Sequence, residues 1–220
     1  MKTETRERPI LFSAPMVRAI LDGQKTQTRR VVDFKKIAKK TGCTRGRLAW
    51  SKLLNNWAVF DGNGDADLCE VDCPYGKTGD LLWVRETWSP EYIYREIAPR
   101  EIPVFSDIWY WADGDPTAGD WARPKPSIHM PNWARRIMLR IVNVRMERVQ
   151  DISKADAEAE GVQSYYVSGI YSHGEKGCIS RDSELTNIDR FSHLWNSINA
   201  SRGHGWDANP WVWVIEFKRV

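Results

Sequence analysis

Ala19-Ile20-Leu21-Asp22-Gly23-Gln24-Lys25-Thr26-Gln27-Thr28-Arg29-Arg30 changes character at Gly23, from an apolar helical stripe to a run of polar and cationic residues. Upstream, Ser13 is placed to cap a helix, Pro15 suits its first turn, and Met16, Ala19 and Ile20 share one face. Gly23 supplies the C-terminal stop. Six residues, Lys25 to Arg30, then hold one lysine, two threonines and two arginines. That density of donors suits either a solvated basic loop or a site that binds or attacks a ligand.

Three further segments bear on this stretch: the strand-like Lys77-Thr78-Gly79-Asp80-Leu81-Leu82-Trp83-Val84-Arg85-Glu86, the helix around Glu160, and the closing Trp213-Val214-Ile215-Glu216-Phe217-Lys218. With Gly23, Lys25, Thr28 and Arg30 read as G-x-K-x-x-T-x-R, the set and its order resemble the ASCH family of the PUA-like superfamily of small β-barrels. The resemblance covers residues 10–32, 74–88, 136–162 and 188–220. It implies an α+β fold, a PUA-like (ASCH) β-barrel with a few short helices, and a single domain over 1–220 with insertions at about 89–133 and 163–184. The longer Trp-rich pattern is similar to proteins carried by bacteriophages and prophages, which implies a bacterial or phage-infected host cell.

Length and composition bound the chain independently. Its 220 residues suffice for a proper core. No run approaches the roughly 18 apolar residues of a membrane span, and the opening residues lack a signal-like apolar segment, so a cytoplasmic protein with no membrane partner is expected. Cys43, Cys69, Cys73 and Cys178 are too few and too uneven for a disulfide framework. Cys69 and Cys73 lack a second closely spaced pair, and His129, His173, His193 and His204 show no ligand spacing, so neither metal nor cofactor is expected.

The net charge of +3 is unevenly placed. Residues 29–47 hold eight Lys or Arg against Asp33, a local +7 that leaves −4 for the remainder. Such a segment reads first as a solvated basic stretch and second as a phosphate-facing surface.

Strands are expected at Trp57-Ala58-Val59-Phe60, entering a turn over 61–64, at Leu81 to Trp88, at Ile137 to Val149, and at Trp211 to Lys218. The last alternates Trp211, Trp213, Ile215 and Phe217 against Val212, Val214, Glu216 and Lys218, and is expected to close the barrel. The first insertion, with Trp109, Trp111, Trp121 and Trp133, is expected to fold over the barrel, and the second reads as a loop.

Ser153 to Gly161 reads as a capped helix with Glu160 in its last turn, where the negative end of the helix dipole would raise a carboxyl pKa. These considerations do not separate Glu160 from Glu158. The resemblance does: some small bacterial ASCH proteins are N(4)-acetylcytidine amidohydrolases that use a lysine, a threonine and a glutamate, and their pattern falls on Lys25, Thr28 and Glu160. Amide hydrolysis by such a set is expected to use Lys25 as a neutral base, Thr28 as the nucleophile or as a group that positions a water, and Glu160 to move protons at the leaving amine. Gly23, Thr26, Arg29 and Arg30 surround this centre as expected substrate contacts. Arg85, Glu86, Trp88, His129 and Trp133 are further candidates, the two indoles for stacking on a flat base. Two physical demands follow: Lys25 must be desolvated to lose its proton, and the chain must bend between Lys25 and Thr28, which a straight strand would place on opposite faces.

The partner is accordingly a nucleoside-type small molecule or single-stranded RNA. An RNA- or nucleotide-binding module without catalysis, and an RNA-cleaving protein, are the alternatives to the amidohydrolase.

Overall fold

A computed structural model describes residues 5–41, 47–51, 56–60, 69–162 and 185–220. The second insertion, the turn at 61–64 and most of the basic segment beyond residue 41 lie outside them.

The main sheet has five strands, with β1 Glu7–Leu11, β6 Leu81–Arg85, β9 Met138–Arg148, β10 Trp211–Arg219 and β2 Gln27–Val31 side by side in that order. β1 runs parallel to β6, and the other three pairings are antiparallel. Arg47–Ser51, Asn56–Phe60 and Cys69–Glu70 (β3, β4, β5) form a second sheet, and Trp88–Pro90 pairs with Ile108–Tyr110 (β7, β8) in a third.

The fold is therefore α+β, but the expected closed barrel is not present: among the described residues no ladder joins β1 to β2. The two edges meet through a side chain, the Arg30 guanidinium donating to Leu11 O at 2.6 Å. β10 does not close the sheet; it lies inside it, between β9 and β2. Residues Val212 to Ile215 are buried on both faces, and a bulge between Glu216 and Phe217 interrupts the strict alternation read from sequence.

Four α-helices are described: α1 Ala14–Leu21, α2 Phe34–Thr41, α3 Lys154–Ala159 and α4 Asn187–Asn199. None is long and apolar enough to cross a membrane. α1 buries Met16, Val17, Ala19 and Ile20 and ends at Gly23, whose φ of +74° only glycine adopts without strain. α2 occupies the stretch read as a basic loop. Asp33 accepts from the Lys36 N–H as a cap would, and Phe34 with Ile37 gives a short apolar stripe.

The main core draws Ile10, Val17, Leu82, Leu139, Ile141 and Val214 from the strands and α1, each contributing about 1.5–3 kcal/mol by burial. The first insertion has its own smaller core of Trp88, Ile102, Met130 and Ala134. The single strand expected over Leu81 to Trp88 is broken at Glu86 and Thr87, and Trp88 belongs to the insertion's hairpin.

Candidate functional site

The chain leaving α1 folds back on the end of α3. Gln24 and Lys25 both donate their amides to Ala19 O, and Thr26 donates to Ala159 O at 2.9 Å. Lys25 pairs with Glu160 in an isolated antiparallel bridge. Gly161 makes this approach possible: its φ is +77°, and a Cβ there would lie 3.0 Å from Ala19 Cβ and 3.1 Å from Lys25 Cβ.

The Lys25 ammonium is fully enclosed. It donates to Glu160 Oε2 at 2.7 Å and to Glu160 O at 3.0 Å, and stands 5.8 Å from the centre of the Phe12 ring. The orphan carbonyls at the end of α3 are thus met by the Thr26 amide and the lysine, which offsets the negative end of the dipole beneath Glu160. Burial lowers the Lys25 pKa; Glu160 opposes this through its charge and hydrogen bond, while Arg30 and Arg29 reinforce it. The desolvation that the chemistry demands is met.

Arg29 is the second cation on Glu160, with Nη1 3.1 Å from Oε1. It also holds Glu147 at 2.6 Å and Asp156 at 3.4 Å. Gln27 bonds Asp156 Oδ1 at 2.7 Å, and Arg145 ties Glu147, Asp156 and Glu216 together. Three cations, Lys25, Arg29 and Arg145, thus face four carboxylates, a formal balance of −1. Burial alone would raise the Asp156 pKa, but hydrogen bonds from Gln27 and Ser153, with the charges of Arg29 and Arg145, hold it below the usual range.

Thr28 is buried but takes the other face of β2. Its neighbours Gln27 and Arg29 point to Asp156 and Glu160, and alternation turns Thr28 away from them. Among the described residues its hydroxyl is not hydrogen-bonded to Lys25 or Glu160. Gly23 and Thr26 are exposed beside the centre. Arg30 is held by Leu11 O and lies 5.2 Å from the Phe12 ring centre. The structure therefore brings Lys25 and Arg29 together on Glu160, with Thr28 on the other face of β2.

The remaining candidates gather elsewhere. Glu86 is fully buried on Arg136, which grips it through Nε and Nη2, both at 2.9 Å, and grips Asp113 as well. Trp88 is 0% exposed and meets Trp133 edge-on, so the base-stacking face expected of it is taken by core contacts. Arg85 covers the Trp83 ring at 4.6 Å, and His129 is exposed at the end of the turn Ser127–His129. Among the described residues no side-chain hydrogen bond or ion pair joins any of these to Lys25, Thr28 or Glu160.

Sequence reading missed Gln27, Glu147, Asp156 and Gly161 as parts of the centre. Gln27 shares the strand parity of Arg29, which is the one local signal available. Among the described residues no three His, Cys, Asp or Glu side chains are grouped to hold a metal. Burial pushes the Cys73 thiol up to about 11, so it is not a ready thiolate.

No family model matches the chain and no curated protein matches it, so the ASCH resemblance rests on the sequence motifs alone. One solved structure to which the chain is similar is protein EF3133 of Enterococcus faecalis V583, described by the family model DUF984. The two share 9% identity with a TM-score of 0.42, over 100% of this chain and 78% of that one.

Proposed function

We propose that this chain hydrolyses the amide of an N(4)-acylated cytidine or a related modified nucleoside, with Lys25 and Glu160 as the proton-handling pair. The observation that carries the reading is the enclosed Lys25 ammonium, 2.7 Å from Glu160 Oε2. A proton passed from Nζ to Oε2 across that contact yields a neutral amine without altering the net charge of the cluster. The amine then has a lone pair to accept a proton from a water attacking the acyl carbon. Protonated Glu160 returns a proton to N4 as the C–N bond breaks, releasing cytidine and the carboxylic acid.

The side on which Thr28 lies favours attack by water over attack by the threonine. Thr28 then has at most a positioning role. Arg29 is committed to three carboxylates, Glu147, Asp156 and Glu160, so it holds Glu160 rather than touching substrate. The same commitment removes Arg29 as a phosphate contact for the alternative of a plain RNA-binding module.

Cytidine release from N(4)-acetylcytidine, followed by chromatography, tests this. Lys25→Ala and Glu160→Gln are each expected to lose about 10²–10⁴-fold in kcat, the usual contribution of a general acid or base. Thr28→Ala is expected to lose about 10-fold or less, since it would forgo positioning only. Loss in Thr28→Ala as large as in Lys25→Ala would restore threonine as the nucleophile.

A further inference from the structure

We propose that the cleft between the turn following β7 and the segment Ala122–Pro126 binds a nucleotide through its phosphate ester. This goes beyond the amidohydrolase reading and does not depend on it. The cleft has a volume of about 430 Å³, within the range of roughly 300–1,000 Å³ that suits small ligands. It is lined by three cations, Arg95, Arg123 and Lys125, against the single carboxylate Glu96, a formal +2.

The cations are poorly neutralised from within. Arg123 is exposed and makes no hydrogen bond or ion pair among the described residues. The Arg95 contact to Glu96 is long, 3.7 Å, and Glu96 is 87% exposed, so solvent screens it. Lys125 spends one donor on Arg95 O at 3.4 Å and keeps the others. Guanidinium forks match phosphate oxygens in geometry as well as charge, and two of the three cations are arginines.

The other walls are flat and apolar. Tyr92 has the Arg95 guanidinium over one ring face, 4.3 Å from its centre, yet stays 46% exposed, and Pro124 and Pro126 flank Lys125. Such surfaces accept the face of a base without reading its identity. The two walls are also fixed to one another. Lys125 exchanges both main-chain hydrogen bonds with the fully buried Trp88, at 2.8 and 3.3 Å. Ala122 donates to Pro90 O, and Tyr92 donates to Asp120 O. A ligand entering a cleft already formed loses less affinity to ordering the protein. The phosphate ester can belong to a free nucleotide or to a nucleotide within a single strand.

Calorimetric titration of the full chain with cytidine 5′-monophosphate, cytidine, inorganic phosphate and a single-stranded oligocytidylate tests the site. The monophosphate is expected to bind at least about 10-fold more tightly than cytidine or phosphate alone, since only it uses both kinds of wall. Arg123→Ala and Lys125→Ala are each expected to weaken it about 10-fold, the loss of one charge-assisted contact. Arg202→Ala, an exposed arginine in the turn Ala200–Arg202, is expected to leave it unchanged. Tighter binding of the oligonucleotide, with a salt slope that falls by about 0.7 per cation removed, would assign the site to a strand; equal binding would assign it to a free nucleotide. Absence of binding by both, equal weakening in Arg123→Ala and Arg202→Ala, or weakening in Lys25→Ala but not Arg123→Ala would each overturn the proposal. Because no turnover is read, failure of N(4)-acetylcytidine hydrolysis leaves this result standing.

Discussion

A lysine removed from water gives up its proton more readily, and the consequence for stability has a definite sign. The folded pKa of Lys25 is lowered from 10.5, chiefly by burial, so between that lowered value and 10.5 the unfolded chain binds more protons than the native one. Lys25 therefore contributes an unfolding free energy that rises with pH across this window. The rise should disappear in Lys25→Met, as measured by urea denaturation at several pH values. In Glu160→Gln, which removes the larger of the two influences that raise the Lys25 pKa, the carboxylate charge, it should begin at lower pH. The raised Cys73 thiol pKa acts in the opposite direction, so the readout is the difference between wild type and Lys25→Met, and a difference that does not grow with pH through the window would refute the assignment. Lys25 was legible in sequence through its pattern, but Glu160 was not separable from Glu158 by local physics. The difference between them is tertiary: Glu160 turns inward to Lys25 and Arg29, while Glu158 meets Asn187 from an exposed position.

Among the elements, the junction of α1, β2 and α3 depends on a glycine at residue 161. Gly161→Ala would force a side chain into positive φ and against Lys25 Cβ, so it is expected to cost more than about 1 kcal/mol and to separate Lys25 from Glu160. Denaturant midpoints report the first effect and hydrolysis the second; a variant as stable and as active as wild type would contradict the account. α1, α3, β9 and β10 were readable because caps and periodicity are local signals. α2 was not, since five cationic or polar positions masked its Phe34 and Ile37 stripe. The break between β6 and β7 was also hidden: nothing local distinguishes Glu86 in a strand from Glu86 turned onto Arg136, fifty residues away.

For the molecule as a whole, Arg136 fastens the first insertion to the main sheet, joining Glu86 at the end of β6 to Asp113 of the turn Trp111–Asp113. Arg136→Met is expected to cost about 3–5 kcal/mol, because it leaves the Glu86 carboxylate buried and unpaired. The paired change Glu86→Leu with Arg136→Met should cost much less than Arg136→Met alone, which a double-mutant comparison of denaturation midpoints reads. Equal costs would mean that Arg136 acts by packing on Tyr110 instead. The α+β class was legible from the order of strand and helix signals, but barrel closure was not. Closure depends on whether β1 and β2 share main-chain bonds, and the sheet instead leaves them linked by the Arg30 side chain.

The central claim is that Lys25 works as a buried base, and the pH dependence of cytidine release from N(4)-acetylcytidine tests it most directly. The wild type is predicted to lose kcat/KM with rising pH along a limb centred below 10.5, where the Lys25–Glu160 pair gives up the one proton that the reaction passes to N4, and folded Lys25→Ala to lose about 10²–10⁴-fold together with that limb. No release by the wild type, or release by folded Lys25→Ala with an unchanged profile, would contradict it.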